Sequence, residues 1–207
     1  MIKYDAFMQV LAKYRGESVV IPTMTAGAEW MEVSDKPSRD VSVGGAMGKA
    51  SSFALGVALA QPDIKVVVLD GDGSLNMNLG TLVTIAGKQP KNFFHFVMNN
   101  GVFAVTGGQP VAGDGVSEYS EVAKGAGYAK TYTFDDIEEF ASQIDDVFNQ
   151  EGPVFVTIKA EPIIQNEPIG RRARDPRARS TTVAIQDLQK DLGTCLLYTS
   201  PSPRDRG

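Results

Sequence analysis

Lys65-Val-Val-Val-Leu-Asp-Gly-Asp-Gly-Ser74 decides how the rest of this chain is read. After the lysine the run is apolar and β-branched on both faces, the pattern of a central parallel strand covered on two sides. Asp72 then stands on a turn flanked by Gly71 and Gly73, directly past the strand end. A second apolar run, Phe93 to Met98, closes the same way, on Asn99-Asn100. A carboxylate and an amide at the ends of two strands offer hard oxygen donors that suit Mg²⁺, with coordination positions left for phosphate oxygens. The glycines let backbone N–H groups come close to a diphosphate.

Outward from this stretch, strands alternate with helices. Ile2 to Tyr14 carries Phe7, Val10, Leu11 and Tyr14 at helical spacing. Ser18 to Pro22 reads as a buried strand, Thr23 to Gly27 as a loop, and Ala28 to Glu32 as the start of a short helix. Asp40 to Val43 is a further short strand candidate. Lys49 to Ala60 is small and apolar throughout, as in a helix buried on most sides, and Pro62 ends it. Asn76 to Lys88, Val116 to Gly125, Asp135 to Asn149 and Thr182 to Leu192 read as helices, and Pro153 to Lys159 as the last strand. The alternation predicts an α/β fold, a doubly wound and mostly parallel sheet with helices on both faces. In such sheets ligands sit beyond the C-terminal strand ends, where Asp72 and Asn100 both fall.

The 207 residues and their 43% hydrophobic content suffice for one substantial core, so residues 1–193 are expected to form a single domain. A formal charge of −5 argues against nucleic acid as the main partner. No run of 18 apolar residues marks a membrane span, and Met1 to Tyr14 lacks the layout of a signal peptide; a cytoplasmic protein is expected. Cys195 is the single cysteine, which excludes an internal disulfide framework. It opens a stretch to Gly207 with two Ser-Pro steps and no periodicity. Residues 194–207 therefore read as a non-native tail, similar to translated sequencing adapter. Residues 165–181 carry Arg171, Arg172, Arg174, Arg177 and Arg179. This run reads as a solvated extension or subunit contact, with an anionic substrate as the other possibility. His95, the only histidine, sits mid-strand between Phe94 and Phe96 and reads as a packed structural residue.

The pairing of Gly71-Asp72-Gly73-Ser74 with Asn99-Asn100 resembles the metal and diphosphate motif of thiamine-diphosphate (ThDP) enzymes. The resemblance implies Asp72, Asn100 and the carbonyl of Val102 as Mg²⁺ ligands. It implies a diphosphate held by Gly71, Gly73 and Ser74, and contacts from Phe103 beside Val102. Gly44-Gly45-Ala46-Met47-Gly48 resembles the turn beneath the cofactor in that family. There Met47 would prop the two rings into a bent conformation, and Gly45 would offer its carbonyl to the 4′-amino group, with Ala46 between them. Bending brings the 4′ nitrogen to C2, so that proton removal becomes intramolecular. Thr23 and Thr25 match a Thr-x-Thr diphosphate contact, although turn capping by their hydroxyls is an equal reading.

Thr106-Gly107-Gly108-Gln109-Pro110, Met47 to Ser52 and Ala58 to Asp63 are similar to a narrower group, the phosphonopyruvate and sulfopyruvate decarboxylases. Lys49 departs from that group's pattern. The resemblance, spanning about Ser42 to Pro162, implies a ThDP-dependent decarboxylase of 2-oxo acids. ThDP enzymes also need a glutamate at the pyrimidine ring, carried by a separate pyrimidine-binding domain. Glu29 and Glu32 fit a surface helix instead. The chain therefore reads as the diphosphate-binding half, with an alpha subunit supplying the glutamate. An acetolactate synthase-type subunit, a 2-oxoacid oxidoreductase beta chain and a non-catalytic ThDP-binding module stand as alternatives.

Overall fold

The computed structural model describes residues 1–45, 47–167, 171–173 and 175–194. Ala46 and the tail residues from Cys195 on, read above as foreign, lie outside the described residues.

Five strands form one sheet: β1 (Val19–Pro22), β2 (Val66–Gly71), β3 (Phe93–Asn99), β6 (Lys130–Phe134) and β7 (Val154–Lys159). Between β3 and β6 lies a small antiparallel hairpin of β4 (Val102–Phe103) and β5 (Gln109–Pro110). The sheet order is β1-β2-β3-β7-β6, and every neighbouring pair is parallel. The chain steps across three adjacent strands, leaves for the edge at β6, and returns to insert β7. The helices are α1 (Tyr4–Tyr14), α2 (Met24–Val33), α3 (Ala50–Ala60), α4 (Asp72–Asn76), α5 (Thr81–Lys88), α6 (Tyr119–Ala126), α7 (Ile137–Asn149) and α8 (Thr181–Asp191).

Alternation along the strands divides the core. Val20, Val67, Leu69, Phe94 and Phe96 point to one side, where they meet Phe7 and Leu11 of α1, Trp30 of α2, and Phe140 and Ile144 of α7. Val19, Ile21, Val66, Val68 and Phe93 point to the other, against Ala54 of α3, Ile85 of α5, Ala123 of α6 and Leu188 of α8. The sheet is thus doubly wound. The first side is rich in rings: Phe94 stacks on Phe148 at 5.0 Å, and Phe7 meets Phe140 at 5.1 Å. Truncating one such ring to alanine costs about 3–5 kcal/mol.

Three elements differ from the sequence reading. The helix expected over Asn76 to Lys88 starts only at Thr81, as α5, after the short α4 has ended at Asn76 and a turn over 77–80. The break frees Asn78, whose Nδ2 donates to the Gly48 carbonyl at 2.9 Å and so fastens the glycine-rich turn before α3. Helix α2 starts at Met24 rather than Ala28, with Met24 itself at φ +50°, a conformation rare outside glycine. Edge strand β6 was not expected. Its residues Lys130, Thr131, Tyr132 and Thr133 are polar or only partly buried, so no apolar run announces it.

The segment Asp40 to Val43 runs parallel to β1 through two bonds, Val41 N–H to Val20 O at 2.9 Å and Val43 N–H to Pro22 O at 3.1 Å. It is held by Arg15, a buried guanidinium paired with Asp40 at 3.1 Å and lying over the Trp30 ring. The arginine-rich segment folds onto this region. Arg179 pairs with Asp187 at 2.7 Å and donates to the Asp40 carbonyl at 2.9 Å, while Arg177 pairs with Glu32 of α2.

Candidate functional site

The C-terminal ends of β1, β2 and β3 surround a cavity of about 70 Å³. Thr23, Thr25, Met47, Gly71, Asp72, Gly73, Ser74, Asn100, Val102 and Phe103 all line it. Residues up to 80 positions apart in sequence thus meet at one place, because parallel strands deliver their ends to one edge of the sheet. Gly45 lines an adjoining groove of about 610 Å³, which shares Met24, Thr25 and Val105 with the cavity.

Asp72 is the centre of this arrangement. It is only 2% exposed, and its two carboxylate oxygens each accept one backbone N–H: Oδ1 from Gly73 and Oδ2 from Gly101, both at 2.7 Å. Burial pushes its carboxyl above the ordinary value; bonds from Gly101, Gly73 and Asn100 pull the other way, and the neighbouring Asp114 pushes it further up. Among the described residues no cationic side chain acts on it. A buried carboxylate without a counter-charge is costly unless a cation completes it.

The glycines on either side are steric necessities. A Cβ on Gly73 would stand 2.5 Å from the Phe103 ring, and one on Gly101, at φ +72°, would stand 2.7 Å from the Asp114 carboxylate. Phe103 therefore closes over the Asp72 turn only because residue 73 has no side chain.

Asn100 accepts the Val102 N–H at Oδ1 (3.1 Å) and donates to the Tyr4 hydroxyl from Nδ2 (3.0 Å). Its oxygen thus keeps a lone pair for a metal. Ser74 Oγ accepts the Gly48 N–H at 3.0 Å, which leaves its own proton to donate. No side chain caps α4, so the remaining leading N–H groups of that turn are left for a ligand or water. The Thr23 hydroxyl instead donates to the Val43 carbonyl at 2.9 Å, tying β1 to its neighbouring segment.

Among the described residues no three His, Cys, Asp or Glu side chains converge as a metal site. A cation here would be held by a mixed set of carboxylate, amide and carbonyl oxygens, and the donors around Asp72 fit Mg²⁺ and a diphosphate. Neither Glu29 nor Glu32 lines the cavity. Three contributors lie outside the motifs that the sequence shows for this site: Tyr4 on the first helix, Asp70 two residues before Asp72, and Ala104-Val105, which form the rim with Thr106 of the Thr106 to Pro110 segment. Tyr4 carries no motif signal at all, whereas the paired aspartates of Asp70-Gly71-Asp72 could have drawn attention.

Residues 25–158 match the family described as thiamine pyrophosphate enzyme, C-terminal TPP binding domain. The chain is 31% identical over 160 residues to sulfopyruvate decarboxylase subunit beta of Methanocaldococcus jannaschii, covering 77% of this chain and 84% of that one. The corresponding subunit of Methanothermobacter thermautotrophicus is 33% identical, with 81% and 86% covered. Phosphonopyruvate decarboxylase of Streptomyces viridochromogenes is 32% identical over 76% of this chain, which spans only 39% of that longer enzyme. Among solved structures, the thiamine diphosphate-dependent 4-hydroxybenzoylformate decarboxylase of Rhodococcus jostii RHA1 superposes with a TM-score of 0.67 at 16% identity, over 80% of this chain and 33% of that one. The fold and the family match lead to one conclusion: this chain belongs to the thiamine pyrophosphate enzymes, as a C-terminal TPP-binding domain.

Proposed function

We propose that the chain is the diphosphate- and Mg²⁺-binding subunit of a ThDP-dependent decarboxylase of anionic 2-oxo acids, of the sulfopyruvate or phosphonopyruvate type. The carrying observation is Asp72, buried between two N–H groups with no cation of its own, beside Asn100 at the ends of adjacent strands. In this reading Asp72, Asn100 and the Val102 carbonyl hold the metal, while Ser74 and the turn N–H groups hold the diphosphate.

The cavity of about 70 Å³ accommodates an ion and part of a phosphate chain. It is far below the roughly 300–1,000 Å³ of sites that enclose a whole small molecule. The rest of the cofactor would then be held by Met47 and Gly45, with a second chain to cover it. That chain, the alpha subunit, also brings the activating glutamate, since no glutamate lines the cavity. When bound, ThDP supplies the nucleophilic carbon and the electron sink for decarboxylation. With it in place, Met47 would support the rings, Gly45 would offer its carbonyl to the 4′-amino group, and Phe103 would keep water from the metal end.

The acidic nature of the substrate finds support in Arg172. Its guanidinium donates to the carbonyls of Glu167, Val105 and Gln165 and to the Gln165 side-chain oxygen, none of them a carboxylate. It faces the groove that adjoins the cavity, as a positive charge whose partners among the described residues are all neutral. A second acid group on a 2-oxo acid suits that charge.

The test is reconstitution. The purified chain should release no CO₂ or aldehyde from sulfopyruvate, and should gain activity on mixing with a pyrimidine-binding chain, with a hetero-oligomer detected by light scattering. Robust turnover by the isolated chain would refute the half-enzyme reading.

A further inference from the structure

A second group of ionisable side chains lies directly beneath the cofactor site. Asp70 and His95 sit on the paired strands β2 and β3, and neither has any solvent exposure. Asp70 Oδ1 accepts the Gly71 N–H at 2.9 Å. Asp70 Oδ2 and His95 Nε2 face each other at 3.7 Å, and each is a buried polar atom with no hydrogen bond. On the far side of the ring, His95 Nδ1 meets the hydroxyl of Tyr128 at 3.2 Å, and Tyr128 is itself 5% exposed. Phe155 and Phe93 stand edge-on to the imidazole at 5.1 and 6.0 Å and restrict its rotation.

The protons in this row follow from the chemistry. Burial, and then the nearby Asp70 charge, keep the Tyr128 phenol protonated well beyond its ordinary range, so it donates. His95 Nδ1 therefore accepts, and the ring proton lies on Nε2, aimed at the carboxylate. The opposite tautomer would set two acceptors against each other in a site without water contact.

We infer that His95 and Tyr128 are positioning residues for the cofactor site, acting through Asp70. Asp70 lines the cavity and holds the first peptide of the turn that carries Asp72. The row Tyr128–His95–Asp70–Gly71 thus connects edge-side core packing to the orientation of the metal-binding turn. Asp70 Oδ2 has no hydrogen-bond partner among the described residues, which leaves the imidazole at 3.7 Å as its facing group. This is the arrangement by which outer partners fix a ligand's direction, here one residue removed. The inference rests on the reading of Asp72 as the cation-binding carboxylate.

The experiment uses the complete complex with Mg²⁺ and ThDP, and the isotope-labelled full chain. His95→Leu removes the imidazole N–H that faces Asp70 and should weaken Mg²⁺-dependent ThDP binding about 10- to 100-fold, as loss of outer-sphere partners does. His95→Gln, which keeps an N–H near the same place, should recover most of that loss. Tyr128→Phe preserves the ring and its packing; it should weaken binding by a smaller factor with an unchanged melting temperature, so it decides the matter if His95→Leu does not fold. Because His95 is the single histidine, its imidazole ¹⁵N signals are unambiguous. They should report the Nε2–H tautomer and shift when Mg²⁺ and ThDP are added. Normal affinity in both Tyr128→Phe and His95→Leu, or imidazole signals indifferent to the cofactor, would overturn the inference while leaving the Asp72 site standing. Absence of any Mg²⁺-dependent ThDP binding by the wild-type complex would overturn both.

Discussion

Asp40 and Asp72 are both buried, and burial raises the carboxyl of each above its ordinary value. Their surroundings differ in one respect. Asp40 has a guanidinium at 3.1 Å from Arg15 and a bond from the Ser34 hydroxyl. Asp72 has two peptide N–H groups and a second carboxylate nearby. The first charge is compensated within the fold and holds the 34–43 segment to β1. The second is paid no such compensation and calls for an external cation. Burial of an acid is therefore not by itself a functional sign; burial without a counter-charge, in a cavity at the strand ends, is.

Substitution separates the two roles. Asp72→Ala should abolish Mg²⁺-dependent ThDP binding, by more than about 100-fold, because the metal loses its charged ligand. The apoprotein should fold as before. Calorimetry on the complex measures the first and a melting curve the second. Acid should mimic the change in the wild type. Protons compete with the cation for the same oxygens, and the carboxyl lies above its ordinary value of about 3.9. Affinity should therefore decline as pH falls, from a higher pH than an exposed aspartate would give.

Asp40→Ala should act the other way, on stability. It leaves Arg15, 2% exposed, without its close carboxylate, which costs about 3–5 kcal/mol when a buried pair loses one partner. The unfolding free energy from denaturant titration should drop by that amount, and the midpoint should fall by that loss divided by the m-value. If Asp40→Ala instead altered cofactor affinity and Asp72→Ala unfolded the chain, the contrast between them would be reversed.

The same contrast explains what was legible in the sequence. Lys65 to Ser74 announced a buried strand and its turn because apolar runs and glycine-flanked acids are local signals. Asp40 was read only as part of a short strand. Its partner Arg15 is 25 positions away, and no spacing rule joins them. Edge strand β6 escaped because it buries little, and the break between α4 and α5 because it serves a tertiary bond from Asn78 to Gly48. Met24 entered its helix through a left-handed conformation that composition does not signal. From its sequence the arginine run reads as a solvated extension or subunit contact, with an anionic substrate as the other possibility. Its described members Arg177 and Arg179 face acids of the same chain, and only the partners of each side chain set Arg172 apart.

Arg172 extends the comparison to a cation. Arg179 is neutralised by Asp187, as Asp40 is by Arg15; Arg172, like Asp72, has only neutral partners among the described residues. Arg172→Met should lower kcat/KM for a 2-oxo acid with a second acid group by roughly 10- to 100-fold, the range of a charge-assisted hydrogen bond. A neutral 2-oxo acid such as pyruvate should be turned over about as before. Equal losses on both substrates would make Arg172 a structural anchor of the 165–172 segment.

Met47 tests whether the contrast between structural and functional burial reaches uncharged residues. It is partly buried, lines the cavity, and directly precedes Gly48, which is fastened to Ser74 and Asn78. A methionine at the start of an apolar helix is ordinarily packing. If it instead props the cofactor rings, Met47→Ala removes only the support that brings the 4′ nitrogen to C2. The metal and diphosphate contacts made by Asp72, Asn100 and Ser74 are untouched. Turnover should then fall about 10-fold, from the lost near-attack geometry, while ThDP affinity changes little. Steady-state kinetics at saturating cofactor, paired with calorimetry, separates the two quantities. A raised cofactor requirement with normal turnover would return Met47 to the core, alongside Asp40 rather than Asp72.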